Sequence, residues 1–134
     1  MPDSSGKPER AEDAEAAKYT EEYFRTRCAG SEEYRRRTLP RRYHKLLQHV
    51  RLPVDAALDL GCGRGEATVL LARSGCKRVH ALDFSQAALD LTRDNLREHC
   101  TPQEQQRVVL LQANANSIPL EDASCDLIVQ LDLI

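Results

Sequence analysis

Two aspartates and a glycine loop hold most of the chemical information in this sequence. Asp59 lies in Leu58-Asp59-Leu60-Gly61-Cys62-Gly63-Arg64-Gly65, where an apolar run carrying one acid leads into glycine at every second position. Glycine has no Cβ, so such a loop can turn sharply from strand to helix and bring its backbone close to a ligand. Asp83 closes a second β-type run, Val79-His80-Ala81-Leu82-Asp83. It falls near the ~20-residue spacing at which a strand-end acid meets ribose hydroxyls in nucleotide-binding folds. Its two acceptor oxygens suit a vicinal diol. The pattern is that of a strand, loop and helix cradling a nucleotide.

The type of nucleotide follows from one replacement and one charge. The dinucleotide fingerprint G-x-G-x-x-G needs glycine at position 66, where this chain has Glu66, and a carboxylate there would repel a pyrophosphate. Asp59 ends a strand expected to be covered on both faces, where an unpaired charge costs, roughly, several kcal/mol. A ligand with cationic groups supplies the partner. S-adenosylmethionine carries an ammonium and a sulfonium on an adenosine and needs no phosphate site. Pairing of Asp59 with a nearby arginine, or a helix-capping role, is the alternative. Phe84 offers a ring for the adenine face or for the core, and Ser85 reads as the N-cap of the next helix.

These residues closely resemble the class I S-adenosylmethionine-dependent methyltransferases, from about Ala56 to Ile134. The resemblance rests on the glycine segment, on Ala81-Leu82-Asp83-Phe84-Ser85, and on Gln112-Ala113-Asn114-Ala115 through Ile118-Pro119-Leu120 to Cys125-Asp126-Leu127-Ile128-Val129. It implies that Asp59, Gly61 and Gly63 cradle the methionyl end of the cofactor and that Asp83 holds the ribose. Asn114 stands where the family usually places an aspartate toward the adenine amino group. Its amide oxygen can still accept that bond, and Ala115 offers a backbone N–H; an asparagine-rich surface turn is the alternative. The full cofactor-binding set expected is Asp59, Gly61, Cys62, Gly63, Gly65, Asp83, Phe84, Asn114, Ala115 and Gln130. No catalytic residue stands out, and Asp132 is only a guess at a base.

The elements that must position these residues form an α/β pattern. Strands are expected near 56–60, 78–82, 107–111 and 125–131, with helices near 65–74 and 86–99. The first helix carries Ala67, Leu70, Leu71 and Ser74 on one face and stops at Gly75; the second carries Ala88, Leu89, Thr92 and Leu96 and ends before Pro102. Alternating strands and helices imply a Rossmann-like parallel sheet with right-handed crossovers, here the N-terminal half of the class I fold. The family's sheet has seven strands, and the chain ends within or just after the fourth. The expectation is therefore a partial domain over 53–134, and a truncated, inactive cofactor-binding or regulatory fragment is the alternative to an active enzyme.

Upstream, 1–18 reads as a disordered tail and 19–52 as helices broken near Ala29-Gly30-Ser31 and at Pro40. Tyr23, Phe24, Tyr34, Tyr43, Leu46 and Leu47 supply their apolar face. In the family such a segment packs over the cofactor, which makes Tyr19, Tyr23 and Tyr34 lid candidates. Residues 19–51 carry net +5 and residues 52–134 net −5. The cluster Arg35-Arg36-Arg37 with Arg41-Arg42 reads first as a solvated helix face or as pairing internally with the acidic half; attraction of an acidic substrate, a protein tail or RNA is the secondary reading. Gln130-Leu131-Asp132 replaces the Asn/Asp-Pro-Pro-aromatic signature of amino-methylating nucleic-acid enzymes, which leaves small molecules and protein side chains as acceptors. Five scattered cysteines without a C-x-x-C pair fit a reducing, cytoplasmic setting, and no spacing supports a metal site. No apolar run reaches the ~18 residues of a membrane span, and no secretory signal is visible. A nicotinamide-dependent oxidoreductase is the competing enzyme class, disfavoured by Glu66 and Asp59.

Overall fold

The computed structural model describes residues 16–26 and 41–131. Four strands, β1 (Ala56–Leu60), β2 (Arg78–Asp83), β3 (Val108–Gln112) and β4 (Leu127–Val129), form one parallel sheet in the order β3-β2-β1-β4. The helices are α1 (Glu21–Thr26), α2 (Arg41–Leu47), α3 (Glu66–Arg73), α4 (Gln86–His99) and α5 (Pro102–Gln106). β1 lies between β2 and β4, so Ala57, Leu58 and Asp59 are almost wholly buried. Register then decides what meets at the sheet's carboxyl end. Asp59 pairs with Ala81 and Leu60 with Leu82, so β1 and β2 end in step and Asp83 arrives beside the glycine loop.

Helix α3 starts at Gly65, whose φ of +85° favours glycine, and closes at Ser74, followed by Gly75 at φ +96° as the expected stop. The helix buries more than the one face expected. Ala67 and Leu71 pack with Ala57 and Val79 under the sheet, while Val69 and Ala72 meet Leu96 and Cys100 on the other flank. The cause is position: α3 is held between the sheet and α4, so Val69 and Ala72 are buried and Leu70 is only half-buried. Burial of a side chain such as Leu71 stabilises by about 1.5–3 kcal/mol. Helix α4 begins at the predicted cap, Ser85, whose hydroxyl accepts from the Ala88 N–H.

Three features differ from expectation. β4 pairs only over Leu127–Val129, because Asp126 turns its carboxylate to the Ala56 N–H and Gln130 lies beyond the ladder. Thr101 and Glu104 form a capping box around Pro102, adding the unanticipated α5. In α2, Tyr43 and Leu47 are buried as expected, but Leu46 faces solvent with 48% exposure, since a seven-residue helix docks on one stripe only. Of the expected tail, residues 16–18 are described, and 16 and 17 are helical; residues 1–15, the break at Ala29–Ser31, Tyr34, Arg35–Arg37, Pro40 and Asp132 lie outside the described residues. Among the described residues, no helix is long and apolar enough to cross a membrane, and no three His, Cys, Asp or Glu side chains are grouped to hold a metal.

Candidate cofactor-binding site

The glycine loop is pinned from below by β2. The N–H groups of Gly61 and Cys62 both donate to the Leu82 carbonyl, at 2.8 and 3.0 Å, and the Gly63 N–H donates to Asp83 Oδ2 at 3.0 Å. Asp83 Oδ1 accepts from the Ser85 N–H at 2.9 Å. Asp83 thus bridges the two loops that follow β1 and β2. Its pKa is raised by burial, partly offset by bonds from the Ser85, Gly63 and Phe84 N–H groups. From above, Thr92 of α4 donates to the Gly63 carbonyl at 3.0 Å and Asn95 to the Arg64 carbonyl at 2.7 Å. Gly65 is packed so tightly that a Cβ would come within 2.6 Å of Thr92 Cγ2.

Asp59 sits under this loop, 2% exposed, and accepts from the Thr68 hydroxyl at 2.7 Å. Burial, and secondarily the charges of Glu66 and Asp83, push its pKa up to about 7 against the pull of Thr68. Among the described residues no cation pairs with it. The arginine next to the loop is committed elsewhere: Arg64 Nε donates to Glu66 Oε1 at 2.5 Å, and both side chains are buried. Glu66 therefore weighs against a dinucleotide by replacing the third glycine, and less by bare repulsion. Even so, Asp59, Glu66 and Asp83 outnumber Arg64, and the loop offers a better setting to a cation than to a pyrophosphate.

The N-terminal segment closes over the loop. Arg64 Nη1 donates to the Phe24 carbonyl at 2.6 Å, Ser85 Oγ donates to the Tyr19 carbonyl at 2.6 Å, and the Phe24 ring lies over Gly63. Tyr19 and Tyr23 meet edge-on at 5.0 Å, and Tyr19 lies 5.2 Å from Phe84. Tyr19–Phe24, part of the segment expected to form a lid, is thus docked on the loops that follow β1 and β2, with Phe84 half-buried against Tyr19.

The remaining expected residues divide. Cys62 is buried 3.5 Å from Thr92 Oγ1, and burial followed by the Asp59 and Asp83 charges raises its thiol pKa well above the ordinary value, leaving a neutral packing residue. Asn114 Oδ1 accepts from the Asn116 N–H at 2.9 Å, closing a turn with one lone pair to spare. The segment carrying Asn114 and Ala115 is tied to β2 through the Ala113 N–H and the Asp83 carbonyl, at 3.1 Å. Gln130 is exposed one residue beyond Val129, which pairs with Asp59, so it stands at the same sheet end. Sequence reasoning missed Thr68, Thr92, Asn95 and the Arg64–Glu66 pair. Only Thr68 and Thr92 had a signal, as hydroxyls on otherwise apolar helix faces.

Comparison with known proteins agrees with this geometry. A family model described as a methyltransferase domain matches residues 57–134. The chain is 32% identical over 72 residues to the ribosomal protein L11 methyltransferase of Ruminiclostridium cellulolyticum, covering 54% of this chain and 22% of that protein. It is 38% identical over 78 residues to the demethylmenaquinone methyltransferase of Lactobacillus johnsonii, covering 55% and 30%. The solved structure of Haemonchus contortus phosphoethanolamine N-methyltransferase 1 with phosphoethanolamine and S-adenosylhomocysteine shares the fold at a TM-score of 0.65 and 15% identity, over 89% of this chain and 25% of that one. The chain spans less than a third of the length of these relatives. With its Rossmann-like sheet, glycine loop and strand-end acids in place, it belongs to the class I S-adenosylmethionine-dependent methyltransferase family.

Proposed function

We propose that this chain binds S-adenosylmethionine and that the protein transfers the cofactor's methyl group to a small molecule or a protein side chain. The observation that supports this most is the pairing of two acids at adjacent strand ends on either side of one glycine loop: Asp59, buried with no cation paired to it among the described residues, and Asp83, joined to Gly63. These residues fit the cofactor. Asp59 answers the cationic methionyl end, Gly61, Cys62 and Gly63 give the backbone a close approach, Gly65 holds the loop's shape by letting Thr92 of α4 pack against it, and Asp83 retains acceptor capacity for the ribose diol. Phe84 serves the adenine face, with Asn114, Ala115 and Gln130 at the rim.

When bound, S-adenosylmethionine supplies an electrophilic methyl group on a sulfonium. The chain's own contribution is positioning and exclusion of water: a loop fixed by Thr92, Asn95 and Asp83, and an aromatic segment over it. The free thiols of Cys62, Cys76, Cys100 and Cys125 suit a reducing, cytoplasmic setting. The test is methyl transfer from labelled S-adenosylmethionine to a panel of small-molecule and protein acceptors. The reading expects label on an acceptor together with S-adenosylhomocysteine, both reduced in Asp83→Ala; bound cofactor with no transfer to any acceptor would reject the enzymatic part.

A further inference from the structure

Arg64 occupies a variable position of the glycine loop, yet its side chain is one of the most deeply buried in the molecule. Burying a guanidinium is costly, and an apolar residue of similar volume is often at least as stable in such a place. What the arginine gains there is reach. Its Nε meets Glu66 on α3, and its Nη1 meets the Phe24 carbonyl forty positions earlier in the chain. Lysine could not make both contacts, because only the planar fork presents two donors in fixed directions. Ser85 makes a second such contact with the Tyr19 carbonyl. Each cofactor loop therefore donates one side-chain hydrogen bond to a main-chain carbonyl of the same short segment.

Resting on the cofactor reading above, we propose that Arg64 is a positioning residue that docks the Tyr19–Phe24 segment onto the glycine loop and thereby retains the cofactor. Glu66 fixes the guanidinium so that Nη1 faces Phe24. With the carbonyl held, the Phe24 ring covers Gly63 and packs on Ala88 and Leu91 of α4. The segment is short, with α1 only six residues long and Tyr19 and Tyr23 half-buried, and the Arg64 contact ties it to a buried guanidinium. Its docking free energy therefore includes a charge-assisted bond whose loss loosens the segment. Departure of a ligand from the loop requires this segment to lift, so the strength of the Arg64 contact sets the release rate more than the association rate.

The experiment combines amide hydrogen exchange with stopped-flow displacement of S-adenosylhomocysteine. In Arg64→Met, exchange at residues 20–26 should rise about tenfold while β1, β2 and β3 keep their protection, and release of S-adenosylhomocysteine should quicken by a similar factor. Arg64→Lys, which can hold Glu66 or Phe24 but not both, should fall between the two. If Arg64→Met fails to fold beside the buried carboxylate, Arg64→Met with Glu66→Met tests the same contact. Unchanged exchange at 20–26, or equal loss of protection across the sheet, would overturn the proposal, as would unchanged release from a variant with a loosened segment. Absence of any S-adenosylhomocysteine binding by the wild type would instead reject the cofactor reading and the retention role with it, and the exchange arm would still decide whether Arg64 docks the segment.

Discussion

The Gly63 N–H donates to Asp83 Oδ2 at 3.0 Å, tying the glycine loop after β1 to the acid that ends β2. One carboxylate thus shapes the loop and, in the proposed function, would also hold the ribose. Asp83→Ala should weaken S-adenosylhomocysteine binding by about 1.5–3 kcal/mol, the range for hydrogen bonds to charged groups. Asp126, bonded to the Ala56 N–H at the opposite end of β1, serves as the control. Asp126→Ala should lower thermal stability slightly and leave the dissociation constant unchanged in titration calorimetry. Equal losses of affinity would contradict the register.

Gly63 and Gly65 separate two costs of a side chain in this loop. Both have positive φ, but a Cβ on Gly63 meets the Phe24 ring at an ordinary 3.5 Å, whereas one on Gly65 comes within 3.0 Å of three Thr92 side-chain atoms. Gly63→Ala should cost about 1–2 kcal/mol of stability from backbone conformation alone. Gly65→Ala should cost more, because α4 must also shift. Denaturant unfolding of the two variants measures the difference.

Asp59 makes the protein pH-dependent in a stated direction. Its pKa is raised, so the folded state holds a proton that the unfolded state releases near 3.8, and the group destabilises the fold progressively as pH rises from about 4 to about 7. A shift of that size corresponds to on the order of 4 kcal/mol. Asp59→Asn should flatten this part of the stability profile. A cationic ligand should reverse the shift, so S-adenosylmethionine should bind more tightly at pH 8 than at pH 6 and release a proton near pH 6.5. Calorimetry in buffers of different ionisation enthalpy detects that proton.

Thr68 moderates the same acid through its hydroxyl bond. Thr68→Val keeps the shape and removes the donor, so Asp59 should titrate higher still and affinity for the cation at neutral pH should fall. A pH titration of binding that superimposes on the wild type would contradict this.

Much of this site was legible because the signals are local. Glycine spacing, a single acid in an apolar run and a serine before a helix each act within a few residues, and Asp59, Asp83, Gly63, Gly65 and Ser85 stand where those signals put them. The α5 capping box was equally local, in Thr101 and Glu104, and was missed beside the stronger signal of Pro102. The other omissions are long-range. Nothing near Arg64 reveals that it meets Phe24, and nothing near Asn95 reveals that it meets the Arg64 carbonyl, because those contacts exist only once α4 and the N-terminal segment have packed. Leu46 and Val69 show the same limit: periodicity identifies an apolar residue, but the number of neighbours a helix acquires decides which sides are covered.

The most direct test of the central claim is calorimetric titration of the protein at pH 8 with S-adenosylhomocysteine and with NAD. The buried acid pair and the missing third glycine predict a dissociation constant for S-adenosylhomocysteine lower than that for NAD by at least about tenfold, or ~1.4 kcal/mol. NAD binding as tight or tighter would contradict the account.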